Sequence, residues 1–335
     1  MTMSDQTGAA ARRRLLALGA YAALGPLGGV RTASAQPETV RRLIIGYPAG
    51  GIADRLARLV AEALSRASSA SFIVENRPGA GGMIATEYVA RAEADGKVLL
   101  LHSIDVLAME RALSADPGFD PLRSLTIVAA VARCDFFLVA NAKLGLRNLQ
   151  DLIALARRST TSLFYVDAGP YVRTLLEILK RRYGLNLVGV PYRGIAPAMT
   201  DLLAGRVDLA LLDGGAALPQ AAAGNVTIVA RVDGAFRARE SSPVPTLAEQ
   251  GAEGLWSDTR YALMAPAAVS PAVAENLRAL TRGILKNPSF RAQLEQGGFH
   301  AIDDPHEQFV RAAAESLNHY RRLAQQAGLI EARPR

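Results

Sequence analysis

The sequence predicts an α/β protein, on three observations. Short apolar runs rich in β-branched residues alternate with segments of helical period, as in parallel sheets built from βαβ units. The 335 residues exceed one average core, which leaves either two lobes or one large α/β unit. Half of the residues are apolar and 21% are charged, which is the composition of a folded chain.

The strands and helices are predicted in the following order. The first strand, at residues 43–47, leads into a Gly-Gly turn and then into a helix whose apolar stripe includes Leu56, Val60 and Leu64. After about Pro266 the pattern predicts helices only. The other strands are predicted at residues 72–74, 98–101, 125–131, 136–139, 163–166, 187–190, 207–212 and 226–229, and the late helices at 273–285, 289–296 and 307–327.

The first 35 residues are predicted to be an export signal. Three arginines at residues 12–14 precede an apolar run at residues 15–30, and Ala33-Ser34-Ala35 is the small-residue pattern that signal peptidase accepts. The apolar run falls short of the ~20 residues that a membrane span needs. We therefore expect cleavage after Ala35 and a periplasmic protein, exported by either the twin-arginine or the general secretory route.

Composition limits the classes of partner. Residues 1–35 carry four Arg and one Asp, so their removal lowers the formal net charge from +7 to +4. The remaining basic residues are scattered and are not interleaved with aromatic residues, so nucleic acid is not an expected partner. Cys134 is the single cysteine, and its apolar neighbours indicate a buried, inert thiol. We expect a monomer without intramolecular disulfides.

The strand-to-helix turn at residues 47–54, which begins with Tyr47, is the strongest local signal. Gly50 and Gly51 let backbone amides approach a ligand closely, and the first turn of the next helix offers free N–H groups and the positive end of the helix dipole. Asp54 is placed to cap this helix start. The pattern predicts an anion-binding site made from backbone, with a tight turn without a ligand as the alternative.

No sequence motif indicates a catalytic site. The glycine-rich loop at residues 75–82 lacks the Gly-Lys-Ser/Thr ending of a phosphate loop and does not fit the dinucleotide fingerprint, so it is predicted to be structural. The sequence has no Gly-x-Ser-x-Gly elbow, no His-Glu-x-x-His and no recognisable His partner for Cys134. An enzyme on a two-lobed scaffold is therefore the weaker interpretation.

Several blocks of sequence, taken together and in order, carry a resemblance to a known family. The chain is similar to the Bug family, the extracytoplasmic receptors of tripartite tricarboxylate transporters, over residues 41–330. The matching blocks are the Gly-Gly turn at residues 48–54, residues 74–82 (VENRPGAGG), 94–96 (ADG) with 99–101 (LLL), 190–208 (VPYRGIAPAMTDLLAGRVD) and 243–251 (PVPTLAEQG).

The resemblance implies a type II periplasmic-binding-protein fold, in which two α/β lobes joined by crossing strands enclose a solute. Lobe 1 is expected at residues 38–136 and 258–330, and lobe 2 at residues 137–257. The resemblance implies no reaction, no metal and no cofactor, and a two-subunit membrane permease as the partner. In such receptors, backbone amides and hydroxyls of two facing loops hold a ligand carboxylate, often through water.

The chain departs from the family at both loops. The family's Gly-Gly-Ser-Thr-Asp turn falls on residues 50–54, where Ile52 and Ala53 replace the two hydroxyl residues. The second loop, usually rich in Ser and Gly, falls on residues 167–173, and its hydroxyls are absent too. Gly169 and the helix-start amides are still expected to face the anion.

Arg173 is the expected replacement for the lost hydroxyls, because a guanidinium forms a charge-assisted and often bidentate bond with a carboxylate. Asp167 would then neutralise Arg173 or accept a hydrogen bond from a ligand amine. The alternative places Arg173 on a solvated helix face. Tyr171 is expected either as a wall of the site or as a helix-start residue without a role.

Further candidates lie at the ends of strands, where open α/β sheets bind ligands. Tyr192 matches the family's Pro-Tyr-Lys/Arg-Gly turn and is expected to line the cleft. Asp213 follows one strand, and Ser103 with Asp105 ends another. For Asp213, Ser103 and Asp105, a turn or a cap is an equal alternative to ligand binding.

The function that follows is a solute receptor for a small carboxylate-bearing molecule, which is an organic acid, an amino acid or an amide. Two alternatives are left open. One is a sensory receptor that has the same binding chemistry but docks on a membrane kinase. The other is a degenerate receptor whose lost hydroxyls have shifted or abolished ligand binding.

Overall fold

The computed structural model describes residues 39–114, 119–232, 244–255 and 259–331 of the 335-residue chain. The expected export signal and its cleavage site at Ala35 lie outside the described residues. No helix within these ranges is long and apolar enough to cross a membrane. The described residues form a mixed α/β structure with two sheets.

The strands are numbered in chain order and fall into two groups. They are β1 (Thr39–Ile45), β2 (Ala70–Asn76), β3 (Val98–Ser103), β4 (Leu125–Cys134), β5 (Phe136–Asn141), β6 (Leu163–Asp167), β7 (Leu187–Pro191), β8 (Leu209–Asp213), β9 (Val226–Val232), β10 (Arg260–Pro266) and β11 (Phe299–Ala301).

The helices lie mostly between the strands, with the last three toward the end of the chain. They are α1 (Ile52–Arg66), α2 (Met83–Ala90), α3 (Ile104–Leu113), α4 (Pro121–Ser124), α5 (Leu149–Arg158), α6 (Pro170–Tyr183), α7 (Ile195–Ala204), α8 (Gly214–Ala222), α9 (Pro271–Leu285), α10 (Pro288–Gln296) and α11 (His306–Gln326).

The first sheet has the strand order β11-β4-β10-β3-β1-β2. Strands β2, β1 and β3 are parallel, so their carboxyl ends lie along one edge. Strand β10 returns antiparallel between β3 and β4. The first lobe, defined here as this sheet and its helices, therefore combines the start and the end of the chain.

The second sheet has the order β7-β6-β8-β5-β9. Strands β7, β6 and β8 are parallel, and β5 runs antiparallel to both β8 and β9. Strand β4 ends at Cys134 in the first sheet and β5 begins at Phe136 in the second, so only Asp135 separates the two sheets there. The second lobe is this second sheet and its helices.

Helix boundaries follow ordinary capping chemistry. Helix α6 begins with Pro170, whose missing N–H costs nothing at that position, and ends at Gly184 in the left-handed conformation. Helix α1 buries the apolar stripe that its sequence predicts, including Leu56, Val60 and Leu64, against the first sheet.

Two helices of the first lobe reach the core of the second. Met109 of α3 and Tyr320 of α11 belong to the same buried cluster as Leu175 of α6. The lobes are therefore joined by packing as well as by connecting strands.

The fold class expected from the sequence is confirmed, and all nine predicted strands are present. One prediction was wrong, because the region after Pro266 is not purely helical. Strand β11 pairs with β4 through Phe299, His300 and Ala301. Three residues are too few to show a strand period, so only the sheet partner defines this element.

Candidate ligand-binding cleft

The carboxyl-end loops of the two sheets face each other. Arg55, in the first turn of α1, donates from Nη2 to Oδ1 of Asp213, which ends β8, over 2.8 Å. Gly215 of the second lobe packs against the backbone of Gly298 of the first lobe. The approach is so close that a Cβ added at Gly298 would lie 2.6 Å from the Gly215 nitrogen. The candidate site is therefore a cleft between the lobes.

The Gly-Gly turn of the first lobe is organised by Asp54. This buried carboxylate accepts hydrogen bonds from the Gly50 amide at 2.9 Å, from Arg58 at 2.9 and 3.0 Å, and from the side chain of Asn76 at 3.0 Å. Burial alone would raise the pKa of Asp54, but these hydrogen bonds outweigh it and lower that pKa. Asp54 therefore holds the turn in shape by binding the Gly50 amide, which precedes α1, and it does not cap an N–H of the helix start as the sequence interpretation had it.

The backbone of this turn remains open to a ligand. Gly50 has φ of +82°, and a Cβ there would meet nothing within 4 Å. No side-chain hydrogen bond caps the start of α1 among the described residues, so the amide of the half-buried Ile52 has no side-chain acceptor there. Ala53 points into the first-lobe core. What the first lobe offers an anion is thus backbone N–H, from Gly51 onwards.

Tyr47 and His102 form an aromatic wall beside the turn. Their ring centroids are 5.0 Å apart, and His102 is fully buried beneath Gly82. Burial lowers the pKa of His102 to about 4, so the ring is neutral at pH 7. Burial, followed by the charge of Glu110, raises the pKa of the Tyr47 hydroxyl well above its ordinary value.

The second lobe presents Arg173 held by Asp167. The Arg173 Nε donates to Oδ2 of Asp167 at 2.7 Å, and the Gly169 amide donates to Oδ1 of the same carboxylate at 3.2 Å. The bond to Asp167 raises the pKa of Arg173. The Arg173 side chain is 47% exposed, and its two terminal nitrogens make no hydrogen bond within the described residues. Those nitrogens are therefore free to donate to a ligand.

The other predicted site residues have structural partners. The buried Tyr171 packs on Phe136 with ring centroids 5.4 Å apart. Ser103 caps α3 by accepting from the Val106 amide, and the Tyr192 hydroxyl donates to Asp201 at 2.7 Å. Asp213 caps α8 through the Ala216 amide in addition to binding Arg55. Asp105 forms a buried ion pair with Arg260.

Two residues of the cleft were missed by sequence reasoning. Arg55 reaches a partner 158 residues away, and no local pattern reports such a pair. Glu110 lies in the second half of α3, where a charged residue ordinarily indicates a solvated face. In the structure it packs against Gly81 of the glycine-rich loop.

Two α/β lobes whose carboxyl-end loops face each other are the architecture of a bilobal solute-binding protein. Within the described residues no group of His, Cys, Asp and Glu side chains is arranged to hold a metal ion. The family model described as "Tripartite tricarboxylate transporter family receptor" matches residues 56–329, and the chain belongs to this family of extracytoplasmic receptors.

Relatives and solved structures agree with this assignment. BugT of Bordetella pertussis is 32% identical over 264 residues, which cover 78% of this chain and 81% of BugT. The R. palustris protein Rpa4515, solved with adipate, is 29% identical with a TM-score of 0.79, over 87% of this chain and 98% of Rpa4515. The periplasmic binding protein BugD gives a TM-score of 0.79 at 26% identity, over 88% and 99% of the two chains. The resemblance stated from the sequence is confirmed.

Proposed function

We propose that this chain is a periplasmic receptor that encloses a small carboxylate-bearing solute between its lobes and delivers it to a tripartite tricarboxylate-type permease. The observation that carries the proposal is Arg173, which Asp167 holds by Nε while its terminal nitrogens stay free. A guanidinium fixed in this way is ready for a bidentate bond with a carboxylate. The adipate found in Rpa4515 is an acid of this kind.

Binding follows from the position of the donors on different lobes. The uncapped start of α1, from the Gly51 amide onwards, belongs to the first lobe, and the terminal nitrogens of Arg173 belong to the second. A carboxylate that contacts both sets gains all its hydrogen bonds only when the lobes are closed. Ligand therefore shifts the population toward the closed form, which the permease recognises.

We also propose that the protein binds its solute without catalysing a reaction. Membership in a receptor family supports this, as does the assignment of Asp54, Ser103 and Asp213 to caps and turns. We propose that the mature protein begins at Gln36, is monomeric and needs no cofactor. Its lobes are proposed at residues 38–136 with 258–330, and at residues 137–257.

The test is a thermal-shift screen of the protein from Gln36 with dicarboxylates, tricarboxylates, amino acids, aromatic acids and their amides. An acid at 100 times its dissociation constant stabilises the protein by ~2.7 kcal/mol. Arg173→Ala is expected to weaken binding of that acid at least tenfold. Arg182→Ala, in the last turn of the same helix about 13 Å along its axis, is the matched control and should bind normally.

Two results would contradict the proposal. If no acid stabilises the wild-type protein, the cleft is not a carboxylate site. If Arg173→Ala binds the acid as well as Arg182→Ala does, the free nitrogens of Arg173 do not hold it.

A further inference from the structure

The end of the second lobe opposite the cleft carries exposed cations without carboxylate partners. Strands β6 and β8 end at the cleft, so the parallel strands β6 and β7 begin at the opposite edge of the sheet. The distal end is defined here as that edge and the helix ends beside it. Its cations are Lys143, Arg157, Arg158 and Arg181, which are all exposed. None of these four side chains forms an ion pair within the described residues.

The four cations converge although they come from two helices and a loop. Arg157, in the last turn of α5, donates from Nε to the Tyr183 carbonyl at the end of α6 over 2.9 Å. Arg158 is the final residue of α5, and Arg181 lies in the last turn of α6. Lys143 follows β5, and the end of β5 pairs with the start of β8. All four positive charges therefore lie at the distal end.

The distal end also exposes two large apolar side chains. Phe164, the second residue of β6, is 40% exposed, and Val188, the second residue of β7, is 41% exposed. The two residues lie directly opposite each other in the register of these strands, on the same face of the sheet, so they form one patch. Apolar contact and electrostatic attraction to anionic lipids together hold peripheral proteins at a membrane surface.

The carboxylates near the distal end do not cancel its positive charge. Glu177 of α6 is paired with Lys180 at 3.6 Å. Glu253 is exposed, and Arg182, which binds the Glu253 carbonyl at 2.7 Å, balances its charge. Asp208 accepts a hydrogen bond from a backbone amide of β6 at 2.7 Å and contributes one negative charge. The four unpaired cations therefore leave an excess of positive charge at the distal end.

We propose that the distal end is a docking surface for an anionic phospholipid membrane. Its cations bind lipid phosphate, while Phe164 and Val188 enter the headgroup layer. A bilayer fits better than an acidic protein, because a bilayer supplies negative charge and apolar material in one plane. A receptor of a transporter family also works beside a membrane.

Docking at the distal end would leave the cleft away from the lipid. Helix α6 runs from the cleft at Pro170 to the distal end at Tyr183, and its 14 residues span about 21 Å. The cleft would therefore remain accessible to a solute while the receptor is on the membrane. This inference does not depend on the identity of the solute, since it uses no residue of the cleft.

The experiment is co-sedimentation with lipid vesicles at pH 7. One set of vesicles contains phosphatidylglycerol and phosphatidylcholine in equal parts, and the other contains phosphatidylcholine alone. The protein begins at Gln36, because the apolar run at residues 15–30 would itself favour lipid. Thr39–Arg335 forms one compact unit, which this protein contains entire. Binding is measured in rising sodium chloride, and an immobilised poly-glutamate peptide serves as the probe for an acidic protein.

The wild-type protein should bind the anionic vesicles and should lose this binding as salt screens the charges. The double variant Arg158→Gln with Arg181→Gln should weaken binding by about tenfold or more. Phe164→Ser should weaken it by about threefold or more, with the salt dependence retained. The control double variant, Arg282→Gln with Arg311→Gln, removes the same charge from exposed positions on α9 and α11 and should bind like wild type. Thermal denaturation checks that each variant is folded.

Three outcomes would overturn the inference. If the wild-type protein does not sediment with anionic vesicles, the distal end is not a membrane surface. Equal losses in the two double variants would show that net charge, and not the distal end, attracts the protein to lipid. Binding to poly-glutamate without binding to vesicles would assign the distal end to an acidic protein instead.

Discussion

At the scale of single residues, the ion pair of Asp105 with Arg260 is buried on both sides. The two side chains are 1% and 5% exposed, and Asp105 also accepts from the Arg260 amide. Asp105→Asn should lower the free energy of unfolding by about 3–5 kcal/mol, because it removes the carboxylate charge that binds this buried guanidinium. Urea denaturation measures this loss.

The control for this prediction is Asp303→Asn, which breaks an exposed pair with Arg291 and should cost less than about 1 kcal/mol. Similar losses in the two variants would mean that the other contacts of Arg260 are sufficient to stabilise its charge when Asp105 is neutral.

The lowered pKa of His102 predicts that the stability of the protein depends on pH. The unfolded chain takes up the proton near pH 6.5, whereas the folded protein keeps His102 neutral until about pH 4. Protonation in this window favours the unfolded state, so the free energy of unfolding falls by about 3 kcal/mol as the pH drops from 6.5 to 4. Below pH 4 both states are protonated and His102 adds no further loss.

The measurement is urea denaturation from pH 7.5 to pH 4 for wild type and His102→Leu. The variant should have a different stability at pH 7 but should lack about 3 kcal/mol of the decrease on acidification. Parallel curves for the two proteins would show that His102 titrates normally.

At the scale of elements, the approach of the turn before β11 to the start of α8 depends on glycine. Gly298 has φ of +80°, and a Cβ there would press on the Gly215 backbone. Gly298→Ala should lower the free energy of unfolding by about 2–4 kcal/mol, since left-handed strain adds to overpacking. Thermal or urea denaturation measures the loss.

The control variant Gly145→Ala separates the effect of left-handed backbone strain from the effect of overpacking. Gly145 has φ of +65° with open space around it, so its substitution carries strain alone and should cost about 1 kcal/mol. If the two glycine variants lose the same stability, the contact between Gly298 and Gly215 carries no energy of its own.

Elements also show how far the sequence predicts this fold. Runs of β-branched and apolar residues located β1 to β9, and the Gly-Gly turn was recognised from its glycines and the helix after it. Strand β10 was not identified, because Arg260–Pro266 contains no β-branched residue, and its character comes from burial between β3 and β4. The cleft partners Arg55 with Asp213 and Glu110 with Gly81 depend on tertiary contacts that no local period encodes.

At the scale of the whole molecule, the bond of Arg55 to Asp213 connects the two lobes directly. The Asp213 side chain is 5% exposed, so its charge depends on Arg55 for compensation when the lobes are together. Arg55→Gln should shift the ligand-free protein toward an open form, because the closed form loses its cross-cleft ion pair. Small-angle X-ray scattering should then give a larger radius of gyration for the variant than for wild type.

Arg66→Gln is the matched control, since Arg66 lies on the same helix and pairs with Glu62 on the surface of the first lobe. It should scatter like wild type. An unchanged radius of gyration in Arg55→Gln would show that packing of α3 and α11 against the second lobe holds the lobes together without the ion pair.

The single residue between β4 and β5 has a consequence for signalling. Only Asp135 separates the two sheets at this crossing. The relative motion of the lobes there is therefore confined to rotation about a few backbone bonds. The two lobes then have few relative orientations to lose when a ligand binds. The loss of conformational entropy therefore reduces the binding free energy only slightly. If the proposed receptor function holds, we expect the occupied and the empty receptor to differ by one rotation between the lobes.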